Sequence, residues 1–432
     1  MLKLCTAGDV ILMDQLPEGY AAMAQPLIDY VNQSDVKIAN LETTLSYFDC
    51  FASTYCGTPW LTTDPETLDQ LKPFGFQFYG FANNHSMDYS YGGLLSTLQA
   101  LDQRGLAHSG AGVDLADATK AGIVETAKGS VGILSVTSTC DDSARAGDPK
   151  GPIPGRPGVS MLRRREIYNI SPAHIAALKE IAAATCINGR LDNSRAGGYT
   201  PVIPGCFGFG TTFFREQEPE GKETIPHEGD CRRILDAIVE AKKSVDYVVV
   251  YLHTHEIAGL TDDTPDYFVE AFAHRCVDAG ASAFFCSGTH QVKAIEVYNG
   301  APIFYSIANF MFQYDHTAWL PQDFYEKYKV PADYDTRAAF DHLSQNNTRG
   351  LTTERHIYKA LCPTLELENG KVKSVTIQPL ELCFDLEDPI KGLPRLADPE
   401  TSRQIFDRLT ELSAPYGTTL EWKDGQIAVS LA

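Results

Sequence analysis

Two histidines stand two residues apart at the end of a strongly apolar segment, YVVVYLHTHE, which occupies residues 247–256. Residues two apart in a β-strand point to the same face, so His253 and His255 would present both imidazoles to one side. Imidazole nitrogens are common ligands of Zn and Fe ions. The pair therefore indicates a metal site, with two hydrogen-bonded structural histidines as the alternative.

Several other polar residues follow apolar segments in the same way. Carboxylates, amides and imidazoles together suit Mn, Fe or Zn, and a carboxylate can bridge two ions. Two ions held close together can activate water and stabilise the oxyanions of a displacement reaction. The residues concerned are Asp9, Asn40, Glu42, Asn84, His85, Glu256 and His290.

Each of these residues taken alone has a more ordinary explanation. A Gly-Asp pair after a strand is usually a turn or a helix cap. A single histidine near a strand end is more often structural than a ligand. A metal site is favoured because these residue types recur in chain order, at one strand end after another.

The apolar segments are typical of strands buried on both faces, and helical patterns lie between several of them. Strands that alternate with helices predict an α/β core. In such folds the carboxyl ends of the strands meet in a shared crevice, which would bring the polar residues together. The predicted strands lie near residues 5, 40, 80, 135, 250, 285 and 305, and the predicted helices span 64–72, 91–104, 172–185, 232–243, 265–279 and 400–413.

The alternation breaks between residues 141 and 229, a segment rich in Gly, Pro and Arg. It is too long for a simple connection, and we expect a lid or subdomain inserted beside the crevice. Arginine binds carboxylates and phosphates in a bidentate manner, so the insert could hold an anionic substrate, with a solvated basic stretch as the alternative. The arginines are Arg156, which stands in the most distinctive motif, and Arg163, Arg164 and Arg165.

Charge and cysteine content indicate the partners and the cellular compartment of this chain of 432 residues. Its formal net charge of −20 would repel nucleic-acid backbones and anionic membranes, so neither is an expected partner. The eleven cysteines contain no C-x-x-C pair, and their odd number suits reduced thiols in the cytosol. We expect no export signal and no transmembrane segment, because no apolar stretch approaches the roughly 20 residues of a membrane helix.

The order of the motifs resembles the CapA family, which is named for poly-γ-glutamate capsule synthesis and belongs to the calcineurin-like metallophosphatase superfamily. The resemblance covers about residues 3–315. It includes GRPGVSMLR inside the insert, which is similar to a GRPG(V/I)NPLR segment of the family. The last motif is the most specific, because it is long and follows a strand and a helix. In chain order the motifs are GDV, NLE, ANNH, HTHE and GTHQVKAIEVYNGAPIFYSIANF.

The resemblance implies a four-layer α/β/β/α sandwich with a two-metal crevice between its sheets. By position in the family pattern, Asp9 would bind the first ion and Glu42 would bridge the pair. Asn84 and His253 would bind the second ion. His290 would complete the ligands of the first.

Other residues receive supporting roles. The resemblance implies that His85 is a proton donor or transition-state stabiliser and that His255 is a ligand or proton relay. We expect Arg156, Asn40 and Glu256 to contact substrate.

The chain departs from the family pattern in three places. A family GHGPH or GxHPH motif is replaced by Cys286-Ser287-Gly288-Thr289-His290, so Ser287 or Gly288 stands where a histidine is usual. The usual YSLGNF is YSIANF, with Ala308 for glycine, and D-x-H is only Asp9-Val10-Ile11. With fewer imidazoles, the site is expected to hold its metals more weakly or to hold a single ion.

The sequence thus predicts residues 1–315 as a metallophosphatase-like domain, with 141–229 as its lid and 316–432 as a β-rich extension packed on the core. The predicted function is metal-dependent hydrolysis of a phosphoester, or of an amide in a glutamate-like or peptide substrate. The expected cofactors are two divalent ions, Mn, Fe or Zn, and the expected partner is a small anionic or peptide-like substrate. The alternative is a catalytically degenerate protein that binds an anionic polymer or assists polymer biosynthesis.

Overall fold

The computed structural model describes residues 1–431, which form a mixed α/β protein and confirm the predicted α/β class. Its first twelve strands are β1 (Leu2–Ile11), β2 (Val36–Leu41), β3 (Thr44–Leu45), β4 (Thr62–Thr63), β5 (Phe78–Gly80), β6 (Ala107–Ser109), β7 (Ala111–Gly112), β8 (Gly122–Thr126), β9 (Gly129–Thr137), β10 (Gly158–Val159), β11 (Arg164–Ile170) and β12 (Cys206–Phe209). The later strands are β13 (Thr212–Glu216), β14 (Gly221–Pro226), β15 (Tyr247–Thr254), β16 (Ala283–Gly288), β17 (Ile295–Tyr298), β18 (Ala301–Phe304), β19 (Asn309–Phe312), β20 (Lys359–Glu368), β21 (Lys371–Glu381), β22 (Arg395–Leu396), β23 (Leu420–Lys423) and β24 (Gln426–Val429).

The helices lie mostly between the strands. The α-helices are α1 (Tyr20–Val31), α2 (Ser90–Gln103), α3 (Leu115–Thr119), α4 (Pro172–Thr185), α5 (Gly189–Ala196), α6 (Glu228–Ala241), α7 (Tyr267–Asp278), α8 (Gln322–Tyr328), α9 (Thr336–Ser344) and α10 (Pro399–Ser413). Short 3₁₀ helices span Pro65–Phe74, Asp142–Ala144, Leu351–Thr353, Arg355–Tyr358 and Ala414–Tyr416.

Two large sheets contain most of the strands. Sheet 1 has the order β23-β24-β21-β20-β1-β2-β5-β6, with β19 paired to β1 and β22 paired to β21. Sheet 2 has the order β17-β18-β16-β15-β9-β8. The strands β19, β1, β2, β5 and β6 are parallel in sheet 1, as are β9, β15, β16 and β18 in sheet 2. The carboxyl ends of these parallel strands therefore lie in a row along one edge of each sheet.

The two sheets share an apolar core. One buried cluster combines Leu4 and Ile38 of sheet 1 with Val249 and Phe285 of sheet 2. A second cluster joins sheet 1 to α1 and α2, and a third joins sheet 2 to α6 and α7. Removal of these apolar surfaces from water is the main force that holds the layers together.

The C-terminal segment and the insert both contribute sheet structure. Strand β20 pairs with β1 in the antiparallel sense, so the hairpin of β20 and β21 extends the sheet that begins at the amino terminus. Its turn places Asn369 and Gly370 at φ of 52° and 74°, a conformation that Asn-Gly pairs favour. The insert forms a separate sheet with the order β12-β13-β11-β14. The domain boundaries at 315 and at 141–229 stay predictions.

Most of the predicted helices and strands are confirmed within a few residues, with two differences. Residues 64–72 form a 3₁₀ helix, Pro65–Phe74, rather than an α-helix. Pro73 lies inside its last turn, where the ring would clash with the carbonyl of residue 69 in an α-helix and no N–H is available to bond to it. The segment predicted as one strand near residue 305 is divided into β18 of sheet 2 and β19 of sheet 1.

The crossing between the sheets brings Ala308 against Gly8. A Cβ atom on Gly8 would lie only 1.8 Å from the Ala308 carbonyl oxygen, so a glycine is required there. The next residue, Asp9, donates its backbone N–H to the same oxygen at 3.1 Å. The Gly-Asp pair is therefore neither a turn nor a helix cap, because it lies inside β1, where it lets β19 approach.

No helix among residues 1–431 combines the length and the apolar composition needed to cross a bilayer. The cytosolic location stays a prediction.

Candidate metal centre

Parallel register places two rows of polar side chains at facing strand ends. In sheet 1, Asp9 of β1 pairs with Asn40 of β2 and with Asn309 of β19. In sheet 2, His253 of β15 pairs with Ser287 of β16. All five side chains are buried. Both rows lie where parallel strands end, so the convergence expected from the sequence is observed.

The remaining residues come from loops that follow these strands. Glu42 lies just after β2, and Asn84 and His85 lie in the loop after β5. His255 follows β15 and is half-buried, and His290 follows β16. Since each loop is short and leaves the carboxyl end of its strand, all of these side chains reach the same crevice.

His253 lies at the centre of the cluster. Its Nε2 atom is 2.6 Å from Asn84 Oδ1, 3.3 Å from Glu42 Oε1 and 3.2 Å from His255 Nε2. Its Nδ1 atom is 3.3 Å from Asn40 Nδ2. One imidazole thus contacts residues from both sheets.

Asp9 is held by neighbours on both sides. Asn40 Nδ2 donates to Asp9 Oδ1 at 2.7 Å, and the Gly288 backbone N–H donates to Oδ2 at 3.0 Å. His290 Nδ1 lies 3.9 Å from Asp9 Oδ2 and 2.7 Å from Asn309 Oδ1. Asn309 therefore orients His290, a role that sequence reasoning missed although IANF was one of its motifs.

Within the cluster, the carboxylate of Glu42 is not matched by a hydrogen bond. Its side chain is fully buried, and neither carboxylate oxygen has a hydrogen-bond partner among residues 1–431. Burial, with further contributions from Asp9 and Asp88, raises the pKa of Glu42 well above its usual value. The nearest ring nitrogen, His253 Nε2 at 3.3 Å, also lies near Asn84 and His255. A buried carboxylate without a hydrogen bond is expensive, and a bound metal ion would satisfy it.

The other titratable groups have shifted pKa values of different origin. Burial opposes ionisation of Asp9, but His253 and His290 outweigh it and hold the pKa of Asp9 well below its usual range. Burial lowers the pKa of His255 well below its ordinary value, with His253 and His290 adding to the effect. Burial likewise lowers the pKa of His290. Neutral imidazoles are the form that binds metal ions.

Two sets of ligand atoms lie close enough to share an ion. Asp9, Glu42 and His253 each offer an atom within 4.8 Å of the others, and so do Glu42, His255 and His290. Glu42 belongs to both sets, as a bridging carboxylate would. The residues present therefore fit divalent ions. The grouping differs from the one implied by the family resemblance, which separates Asp9 from His253.

His85 belongs to a second buried pair beside the cluster. Its Nδ1 atom lies 2.6 Å from Asp88 Oδ2, and Asp88 also accepts the backbone N–H groups of Gly57 and Leu61 at 2.9 and 2.8 Å. Burial raises the pKa of Asp88 above its usual value. Asp88 was missed from the sequence, although its spacing of three residues from His85 was a usable signal.

The loop between β3 and β4, residues 46–61, closes over His85 and Asn84. A Cβ atom on Gly57 would lie 2.5 Å from His85 Cε1 and 2.6 Å from Asn84 Nδ2. Asn84 Nδ2 also donates to the Gly57 carbonyl oxygen at 3.4 Å. Sequence reasoning missed this loop, because no metal-binding residue type marks it.

The three residues expected to contact substrate have different surroundings. Asn40 lies inside the cluster, between Asp9 and His253. Glu256 lies outside it and accepts hydrogen bonds from Ser138, Thr139 and Thr254. Arg156 is exposed and donates Nε to the Arg145 carbonyl oxygen at 3.0 Å. No hydrogen bond joins Arg156 to the cluster within residues 1–431, and the substrate contacts of all three stay predictions.

The fold and the cluster define a class of α/β proteins with carboxylates and histidines gathered at the carboxyl ends of two packed sheets. A family model described as "Bacterial capsule synthesis protein PGA_cap" matches residues 3–314. The chain belongs to this family, and the predicted resemblance to CapA is confirmed.

Several relatives share parts or most of the chain. An uncharacterized protein of Sinorhizobium fredii, y4sH, is 29% identical over 431 residues, which cover 98% of this chain and 91% of that protein. The PGA biosynthesis protein CapA of Bacillus subtilis is 26% identical over 58% of this chain and 47% of its own length. A probable polyglutamine synthesis accessory protein of Mycobacterium tuberculosis is 24% identical over 65% of this chain and 57% of its own length. A hypothetical protein from Thermus thermophilus, solved as a crystal structure, covers 88% of this chain and 99% of its own, with a TM-score of 0.40 and 13% identity.

Proposed function

We propose that this chain is a metal-dependent hydrolase with the four-layer α/β/β/α arrangement of the metallophosphatases. The observation that carries the proposal is Glu42, which is buried without a hydrogen-bond partner among the described residues and belongs to two sets of ligand atoms. In the same proposal, residues 1–315 form the catalytic domain, 141–229 its lid and 316–432 an extension on the core.

The cluster offers ligands for two ions. One would be held by Asp9, Glu42 and His253, the other by Glu42, His255 and His290, and Asn84 would add an amide oxygen beside His253. Divalent Mn, Fe or Zn bound there would activate water and stabilise negative charge on an oxyanion.

Residues of the chain position the ligands and handle the proton. Asn40 holds the Asp9 carboxylate, and Asn309 holds the His290 imidazole. Asp88 Oδ2 lies 2.6 Å from His85 Nδ1 and orients the ring. In the doubly protonated imidazolium, His85 Nε2 would give its proton to the leaving group. The β3–β4 loop packs against the His85 ring through Gly57 and fixes the position of the ring.

The proposed substrate class is a phosphoester, or an amide in a glutamate-like or peptide substrate. The metallophosphatase resemblance supports the first. The names of the Bacillus and Mycobacterium relatives, which refer to PGA biosynthesis and polyglutamine synthesis, support the second.

A second candidate function is a binding or polymer-synthesis accessory protein that has lost catalysis. The observation in its favour is Ser287, which stands where the family pattern has a histidine. Its Oγ atom lies 3.4 Å from His253 Nδ1, so the position faces the cluster and offers no imidazole.

Metal analysis combined with turnover tests the first proposal against the second. Protein reconstituted with Mn²⁺, Fe²⁺ or Zn²⁺ is expected to retain one or two ions per chain after desalting. It should then hydrolyse bis(p-nitrophenyl) phosphate or a γ-glutamyl peptide. Retained metal without turnover of either compound would favour the accessory function, and protein that retains no metal would contradict both the metal centre and the hydrolase.

Gly57→Ala is expected to lower kcat about 100-fold with little change in thermal stability. The added methyl group would displace the His85 imidazole and the Asn84 amide, and an error of about 1 Å in a catalytic group can cost that factor. The backbone of Gly57 is not at positive φ, so alanine is allowed there. Steady-state kinetics with the better compound and a melting curve give the two readouts.

Gly259→Ala is the matched control, because a methyl group there would meet only Thr261 N at 4.0 Å. Its kcat should equal that of the unmodified protein. An unchanged kcat in Gly57→Ala would show that His85 needs no fixed position.

A further inference from the structure

We infer that Tyr314 and Lys327 position the His85 ring by fixing the β3–β4 loop, an inference that rests on the proposed hydrolase function. Tyr314 lies just after β19, and Lys327 lies in α8. The Tyr314 hydroxyl donates to the Thr58 carbonyl oxygen at 3.2 Å, and Lys327 Nζ donates to Thr58 Oγ1 at 3.1 Å. Both act on His85 through the loop, so they are positioning residues and not catalytic ones.

The backbone of Thr58 has a conformation that needs such support. Its φ is 68°, in the left-handed region that β-branched residues rarely adopt. Unfavourable conformations of this kind persist where surrounding contacts hold them, and they are concentrated at active sites. The bonds from Tyr314 and Lys327 hold both the backbone and the side chain of Thr58. Without these bonds, the loop is expected to relax at this residue.

Gly57 connects Thr58 to His85. A Cβ atom on Gly57 would lie 2.5 Å from His85 Cε1, so the loop backbone packs closely against the imidazole. The Gly57 backbone N–H also donates to Asp88 Oδ1 at 2.9 Å, and Asp88 Oδ2 lies 2.6 Å from His85 Nδ1. A shift of Thr58 would therefore move the His85 ring both directly and through Asp88.

Tyr314 also connects the loop to the metal side of the crevice. Its ring stacks on Phe312 with centroids 5.4 Å apart, and the Phe312 ring packs against His290 with centroids 5.6 Å apart. Helices α8 and α9 cover the loop through an apolar cluster that contains Trp60, Phe324 and Phe340. The segment after β19 thus sets where the proton donor lies relative to the proposed ligand His290.

Tyr314→Phe tests the inference, because it removes one hydroxyl and keeps the ring that stacks on Phe312. A misplaced proton donor matters most for a leaving group that needs a proton, and phenolate is a poorer leaving group than p-nitrophenolate. We expect kcat to fall about tenfold with diphenyl phosphate and less than about twofold with bis(p-nitrophenyl) phosphate, with KM and metal content unchanged. With a γ-glutamyl peptide, whose amine must be protonated as it leaves, the tenfold fall is expected as well.

Hydrogen exchange provides a second readout that requires neither metal nor turnover. Residues 53–61 should exchange faster in Tyr314→Phe and in Lys327→Met than in the unmodified protein, because local opening of the loop becomes easier. Tyr325→Phe is the matched control, since the Tyr325 hydroxyl also donates to a backbone carbonyl, that of Tyr334 at 3.0 Å. Its kcat and its exchange at residues 53–61 should equal those of the unmodified protein.

The outcomes separate this inference from the proposed hydrolase. Unchanged exchange in Tyr314→Phe, or an equal fall in kcat with both phosphodiesters, would overturn the positioning role. An unmodified protein that turns over none of the three compounds would instead contradict the proposed hydrolase. The exchange of residues 53–61 would then decide by itself whether Tyr314 and Lys327 fix the loop.

Discussion

His253→Ala is expected to remove the ion held by Asp9, Glu42 and His253 and to lower hydrolysis by more than about 100-fold. His253 contacts Glu42, Asn84 and His255 through the same nitrogen, so its loss removes the imidazole that lies between ligands of the two sheets. Loss of a group next to a metal typically costs about 10–100-fold in affinity, and loss of a ligand costs more. Metal content after desalting and kcat/KM measure the two effects.

The matched control for this variant is His108→Ala. His108 is a partly exposed histidine that pairs with Asp102 at 3.0 Å and lies outside the cluster. Its metal content and kcat/KM should match the unmodified protein. Because His253→Ala removes a buried side chain, its folding is checked by circular dichroism, and His253→Gln provides a less disruptive second variant. Full metal content in a folded His253→Gln protein would contradict the proposed ligand sets.

Glu42→Gln is expected to abolish the stabilisation that divalent metal gives to the folded protein. A ligand at about 100 times its Kd stabilises the native state by about 2.7 kcal/mol, which raises Tm by about 3 °C in a chain of this length. The unmodified protein should show this rise with Mn²⁺. Glutamine keeps the size of the side chain but cannot supply the bridging carboxylate, so the rise should disappear. Thermal melts with Mn²⁺ and with EDTA measure it.

In EDTA, Glu42→Gln should melt at or above the temperature of the unmodified protein. The neutral amide avoids a buried carboxylate that has no hydrogen-bond partner in the described structure. Glu421→Gln, an exposed carboxylate on β23, is the control and should keep the full response to Mn²⁺. A Mn²⁺-dependent rise that survives in Glu42→Gln would show that the metal binds elsewhere.

The α/β class and the strand ends were predictable because apolar segments of this length and composition can form few structures other than buried strands. The register that places Asp9 beside Asn40 follows from parallel pairing of neighbouring segments. The sequence could not predict that the segment near residue 305 serves both sheets. That division depends on Ala308 fitting against Gly8, a contact between residues 300 positions apart.

In the insert, residue type alone was insufficient to identify which arginine approaches the crevice. Arg156 and Arg164 lie in the same basic segment, and the sequence favoured Arg156 for its motif. In the structure, Arg164 reaches Glu256 while Arg156 contacts the backbone of its own loop. The difference arises because β11 carries Arg164 toward the crevice, and neither spacing nor charge reveals the direction of that strand.

The residue types at the strand ends can be read from the sequence alone, since a buried parallel sheet leaves its polar residues at the carboxyl edge. How these residues are grouped depends on the packing of the folded chain. Packing of sheet 1 on sheet 2 sets the 3.3 Å approach of Glu42 to His253, and the β3–β4 loop brings Gly57 onto His85. Distances of this kind depend on contacts between segments far apart in the chain, which no local pattern of residues encodes.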